Sequence, residues 1–324
     1  MSQPPRIASL ISSATEILYL LGLGDQVVGV SHECDFPPEI RDQPRLTRSL
    51  VESSASSRAI DDQVRELTIQ QSALYEIDVE LLTRLAPNLV ITQAQCDVCA
   101  VRYEDVVAAV EASPALAHTE VLSLNPTRLA DVFNDIRRIG EAAGVGHRAA
   151  AVVAELETRV ALVRAATSSL RLEQRPRVAL LEWIDPPMLA ANWTPELVAW
   201  AGGRDGQSLD GHHSSYANWR DIARFDPEVI VILPCGFDLE RAIVEAQVLP
   251  SVPEWHGLAA VRSERVFAAD GNAYFNRSGP RLVDSLEILA HLFHPDRFPP
   301  PRAEPQHAWR RLTTRGARLE PEDA

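Results

Sequence analysis

Residues 84–93 read RLAPNLVITQ and residues 224–233 read RFDPEVIVIL. Each phrase runs basic residue, apolar residue, one more residue, proline, amide or acid, and then a continuous apolar run. Each follows an amphipathic stretch. An uninterrupted apolar run behind a helix and a Pro-containing turn reads as a parallel strand covered on both faces. Its occurrence in both halves implies two similar lobes. Cysteines follow each copy within a few residues: Cys96 and Cys99 after the first, Cys235 after the second. In open α/β sheets ligands lie beyond the carboxyl ends of the strands, which is where these cysteines fall.

The chain has 324 residues, enough for two α/β lobes with separate cores. An apolar content of 46% with a mean hydropathy of -0.09 describes a globular protein. The net charge of -14 argues against nucleic acid and anionic membranes as partners. All 31 basic residues are arginine, so no lysine is present for a Schiff base or a phosphate-binding loop. The start, MSQPPRIASL, lacks a basic region followed by an apolar run, and Glu16 and Asp25 interrupt residues 14–30. The expectation is a cytoplasmic protein with no membrane insertion, periplasmic only if the start codon is mis-called. Four cysteines in a reducing compartment are expected as thiols or ligands rather than disulfides.

The remaining pattern alternates. RIASLI is a strand, ATEILYLLG a helix stopped by Gly22 and Gly24, and VVGVS a second strand with HECDFPP at its tip. Residues 44–76 form a polar, Ser-rich insertion, partly helical around DDQVREL. Further β and α segments complete a lobe over 1–126. Residues 127–170 are nearly unbroken helix, interrupted near Gly144 and Gly146, and form a stiff connection. A second lobe spans 171–294. From 295 to 324 the chain is rich in Pro and Arg and is expected to be a poorly ordered tail. The fold class is α/β: two Rossmann-like lobes with parallel sheets, a long backbone helix, and a ligand cleft between lobes.

Several phrases resemble the class III solute-binding proteins, the group that binds vitamin B12, haem and ferric siderophores. They are the opening RIASLISSATEILYLLGLGDQVVGVSHECDFPP, the two helix–Pro–strand phrases, the long connecting helix, IDPPMLAANWTPELVAWAGG, and NAYFNRSGPRLVDSLEIL. The likeness spans residues 6–294 and is closest to the vitamin B12-binding branch. It implies a corrinoid such as cobalamin, or a similar metal-chelate macrocycle, as ligand, and an ABC transporter permease as partner. It also implies a docking acid on each lobe. Glu80 holds that place in the first lobe, but Arg220, beside Asp221, holds it in the second. The expected lack of an export signal, the Cys/His cluster and the 44–76 insertion also depart from the exported pattern.

Three groups carry the chemistry. His32, Cys34, Cys96 and Cys99 offer thiolates and an imidazole to Zn or another soft metal ion, or a thiol or His32 to the cobalt of a corrinoid from one axial side; core packing and reduced loop thiols are the alternative. Glu33, Asp35 and Phe36 share the first strand tip, and Gln93 ends the first repeat's strand. Trp183, Trp193, Tyr274 and Phe275 sit at strand ends of the second lobe, where aromatic faces could hold a flat macrocycle. Core packing is again the alternative, and Trp219 suits it better. His212 and His213 neighbour each other on an extended segment, so only one can face the ligand. Arg277 precedes the last helix and could bind a carboxylate or amide. No catalytic set is present: HEC is not HExxH, and no serine lies in G-x-S-x-G. The expectation is a binding protein, either a cytoplasmic binding and delivery protein or the substrate-binding component of an ABC transporter, with a metal- or thiol-dependent enzyme on the same fold as the alternative.

Overall fold

The computed structural model describes residues 4–70, 73–95, 100–301, 308–315 and 318–322. The chain divides into two compact units, one of residues 1–55, 59–155 and 278–280, the other of residues 56–58, 156–277 and 281–324.

The first unit contains β1 (Ile7–Ser9), α1 (Ser12–Leu20), β2 (Val27–Val30), β3 (Thr47–Ser49), most of α2 (Ser57–Ile69), β4 (Tyr75–Ile77), α3 (Val79–Leu85), β5 (Leu89–Gln93), α4 (Tyr103–Glu111), β6 (Glu120–Leu124) and α5 (Leu129–Ala142). Its main sheet has the order β2-β1-β5-β6, all parallel. All five β5 residues are buried, which is why its sequence shows no alternation. β3 and β4 form a separate antiparallel pair. The expected insertion is therefore structured: a hairpin flanking a helix. Gly22, at φ +70°, ends α1 in the left-handed conformation, where a side chain would be strained. α6 (Gly146–Thr167) follows a left-handed break at Gly144 and is about 33 Å long at 1.5 Å per residue. The division between units falls within it.

The second unit continues with β7 (Val178–Trp183), β8 (Met188–Leu189), α7 (Thr194–Trp200), β9 (Ser215–Tyr216), α8 (Trp219–Phe225), β10 (Val229–Ile232), α9 (Leu239–Glu245), α10 (Ala259–Arg262), β11 (Val266–Ala269), α11 (Leu282–Phe293), β12 (Trp309–Arg315) and β13 (Arg318–Pro321). Among the described residues the sheet order is β13-β12-β11-β10-β7-β8-β9. Only β7, β10 and β11 are mutually parallel; the outer strands are antiparallel. This corrects the expectation of a purely parallel second sheet.

It also corrects the poorly ordered tail. β12 and β13 cover the edge that β11 would otherwise expose, with Val266 opposite Leu312 and Thr314 opposite Leu319. Leu312 and Leu319 enter the core, while Trp309 packs edge-on against Phe267 at 5.8 Å. So few inward residues leave no visible periodicity in an Arg-rich sequence.

The repeat that opens the sequence is matched in backbone detail. Asp78 and Asn218 cap α3 and α8, accepting from Leu81 N at 2.8 Å and Asp221 N at 2.9 Å. Both helices have seven residues, and both end on a left-handed residue, Ala86 (φ 44°) and Asp226 (φ 50°), directly before the proline. The likeness extends to PRIA at 5–8 and PRVA at 176–179. Arg6 O accepts from Asn88 N and Leu89 N, and Arg177 O accepts from Glu228 N and Val229 N. The Arg6 and Arg177 guanidinium groups then donate to Leu85 O and Asp226 O, at the carboxyl ends of the two helices. One design therefore fixes the central strand pair, β1 with β5 and β7 with β10, in each unit.

Candidate functional site

In the first unit the carboxyl end of β2 leads into the turn Ser31–Cys34. Ser31 N donates to Ser9 O at 2.8 Å, which ties the turn to β1. Arg45 reaches back and donates to Ser31 O at 3.1 Å and to Cys34 O at 2.5 Å. Cys34 is buried, its Sγ 3.1 Å from Thr15 Oγ1, which in turn donates to Ser9 Oγ at 2.8 Å. The thiol thus anchors the turn from below.

His32 stands above. Its Nδ1 lies 2.7 Å from Thr47 Oγ1, and its ring packs on Tyr75 with centroids 5.4 Å apart. Burial, and secondarily the Arg45 charge, lower the imidazole pKa from its usual value. Glu33 and Asp35 are exposed and Phe36 is half-buried. Gln93, buried at the end of β5, accepts from Gln95 N at 2.7 Å.

The four-ligand metal expectation changes accordingly. Cys96 and Cys99 lie outside the described residues. Among the described residues no group of three metal-ligating side chains converges. The Cys34 sulfur is buried against Thr15, and the expected cluster of Cys34 with Cys96 and Cys99 extends outside the described residues. His32 is left as a single ring nitrogen donor at the tip.

In the second unit Trp183 ends β7, half-buried, with its ring 5.2 Å from Phe237. Its Nε1 donates to Ser57 O at 3.2 Å; Arg58 pairs with Asp185 at 3.0 Å, and Ser57 N donates to Glu245. His212 and His213 are both exposed on the segment that leads to β9. That segment is held by Ser214, whose Oγ donates to Glu182 at 2.7 Å and accepts from Ala191 N at 3.0 Å.

The other aromatic expectations are corrected. Trp193 is 6% exposed, Tyr274 6% and Phe275 1%. The Trp193 indole N–H donates to Phe275 O at 2.9 Å, so that ring supports the Gly271–Phe275 turn from inside. Position at a strand end placed these residues correctly along the chain, but packing turns their rings into the core. Arg277 is also buried and donates to Asn272 Oδ1 at 2.8 Å. Trp219 packs edge-on to buried Trp255 at 5.9 Å. Glu80 is exposed in the first turn of α3, and Arg220 holds the matching place in α8.

Sequence reasoning missed Thr47, Tyr75, Phe237 and Glu182. Glu182 left a signal: it is the only charged residue in the strand VALLEW. Burial pushes its carboxyl up from 4.5 to about 7, against the opposing hydrogen bond from Ser214. An acid whose pKa is raised by folding stabilises the protein while protonated. That contribution is complete below about 4.5 and is lost as pH rises through about 7. Urea unfolding is expected to show a loss of stability between pH 5 and pH 8 that Glu182→Gln lessens by roughly 2 kcal/mol. An equal loss in the variant would refute this assignment.

A family model described as "Periplasmic binding protein" matches residues 7–273. The uncharacterized ABC transporter substrate-binding lipoprotein YvrC of Bacillus subtilis (strain 168) is 23% identical over 301 residues, covering 91% of this chain and 82% of that one. Among solved structures, the periplasmic heme-binding protein RhuT from Roseiflexus sp. RS-1 aligns with a TM-score of 0.66 at 23% identity, over 90% of this chain and 99% of its own. A periplasmic heme-binding protein from Pseudomonas aeruginosa gives 0.69 at 19% identity, over 99% of each chain. The periplasmic vitamin B12-binding protein BtuF of Vibrio cholerae gives 0.63 at 22% identity, over 90% of this chain and 97% of its own. At such identities the structural likeness establishes the fold.

Proposed function

The chain belongs to the periplasmic binding protein family, and from that premise we propose that it is the substrate-binding component of an ABC transporter for a metal-chelate macrocycle, a corrinoid foremost. The family binds solutes and is not enzymatic. The observation that carries the choice of ligand is the pair of strand tips. His32 packed on Tyr75 lies in the turn after β2 in the first unit, and Trp183 packed on Phe237 ends β7 in the second. Imidazole and indole faces with a few polar groups suit a flat, partly polar macrocycle. The names of the relatives favour the same class, haem in two cases and vitamin B12 in a third. Corrinoid comes first because VGVSHECDFPP and IDPPMLAANW are the phrases nearest to the B12-binding pattern.

Glu80 is the docking acid for the permease. Arg220 reverses the charge at the equivalent place, so the permease surface facing α8 carries acid rather than base.

Calorimetric titration with aquocobalamin, cobinamide, ferric haem and a ferric siderophore tests the ligand class. One equivalent of a tetrapyrrole chelate is expected to bind with a Kd at or below about 1 µM, close to -8 kcal/mol. Trp183→Ala should weaken it at least tenfold. Absence of heat with every chelate would end this reading.

A further inference from the structure

We infer that His32 Nε2 coordinates the metal of the bound chelate, replacing an axial water. This rests on the reading of the chain as a metal-chelate binder and adds the atom that makes the bond.

The protons at Thr47 fix the tautomer of His32. Its Oγ1 has three neighbours: His32 N at 3.0 Å, His32 Nδ1 at 2.7 Å and Ser31 Oγ at 3.1 Å. A threonine hydroxyl has one hydrogen and two lone pairs. The hydrogen goes to Ser31 Oγ, and the backbone N–H of His32 occupies one lone pair. The lone pair that remains faces Nδ1, so Nδ1 must bring the proton. In a neutral imidazole with Nδ1 protonated, Nε2 carries the available electron pair.

Metal-bound histidines are held in this way, with the far ring N–H fixed by an oxygen so that tautomer and orientation are set beforehand. The rest of the turn supports the same role. Arg45 clamps two of its carbonyls, Cys34 anchors it to Thr15, and Tyr75 packs on the ring. Burial and Arg45 favour the neutral ring. Among the described residues the nearest acid to Nε2 is Glu33, at 4.0 Å, beyond hydrogen-bond reach. The His32 side chain keeps 24% of its surface exposed, enough for one edge to meet a ligand. Imidazole suits iron and other late transition metals. The step is a ligand exchange: one metal–nitrogen bond forms, one metal–water bond breaks, water leaves, and the metal keeps its oxidation state.

Absorption spectra of the full chain with aquocobinamide and with ferric haem test the inference. Wild-type protein is expected to shift the main band as added imidazole shifts it on the free chelate. His32→Ala is expected to bind at least tenfold more weakly without the shift, and added imidazole should restore it. Thr47→Val keeps the ring but removes its acceptor, and should lower affinity 10–100-fold. It decides the matter if His32→Ala fails to fold; unchanged affinity there would overturn the inference. Binding by wild type with no shift, or an undiminished shift in His32→Ala, would overturn the inference alone. No binding of either chelate by wild type would overturn it together with its premise.

Discussion

Gly271→Ala is expected to destabilise the second unit by about 3 kcal/mol or more, lowering Tm by roughly 6–12 °C. A Cβ at this position would lie 2.3 Å from Pro234 O and 2.5 Å from Leu233 O. Both obstacles are backbone, so no side chain can swing aside. The turn after β11 is pressed against the turn after β10 and is tied there twice. Asn276 Nδ2 donates to Leu233 O at 2.8 Å, and Asn272 N donates to Phe237 O at 3.0 Å. The aromatic partner of Trp183 is thus held by the same contact, so the substitution should also weaken ligand binding. Gly257→Ala is the control, because a Cβ there meets nothing within 4 Å. Differential scanning calorimetry of both variants checks the expectation; equal Tm values for Gly271→Ala and wild type would refute it.

Replacing Arg159 by methionine should cost about 2–4 kcal/mol at pH 7. Its guanidinium on α6 donates twice to Glu287, at 2.9 and 2.8 Å, and once to Asp284, both on α11. Removing it leaves two partly buried carboxylates three residues apart on one helix face. Burial already raises the Asp284 pKa, and Arg159 is the main influence lowering it. In the variant that pKa should climb further. A raised acid pKa means stability that is present at low pH and lost as pH rises through the folded value. The deficit of Arg159→Met should therefore shrink at pH 5, and Asp284→Asn should rescue part of it at pH 7. A deficit equal at both pH values would point to lost packing instead.

Much of the fold was legible because the chain states its central motif twice. The helix–Pro–strand phrase marks α3 with β5 and α8 with β10, and the structure gives both copies the same cap and the same left-handed exit. The partner phrases PRIA and PRVA are too short to stand out in the sequence, and only the matching bonds of Arg6 and Arg177 relate them. The antiparallel hairpin at the carboxyl end was not legible. Its stability comes from pairing with β11 and from Leu312 and Leu319, not from any repeating pattern.

The site divides in the same way. His32 and Trp183 were readable as residues at strand tips. Trp193 and Phe275 share that position in sequence, yet the Trp193 indole bonds inward to the Phe275 carbonyl. Orientation, which spacing does not encode at a turn, separates the two pairs. Thr47 was hidden for another reason. It comes from the β3–β4 hairpin, fifteen residues after His32, in a stretch whose composition reads only as polar.

Hydrogen–deuterium exchange of the full chain, free and loaded with aquocobinamide, tests the central claim most directly. New protection is expected at the carboxyl strand tips: residues 31–36 and 93–95 of the first unit, and residues 182–193 and 211–216 of the second. Protection confined to other surfaces, such as α8 with Glu254 or residues 170–174 and 294–297, would contradict it.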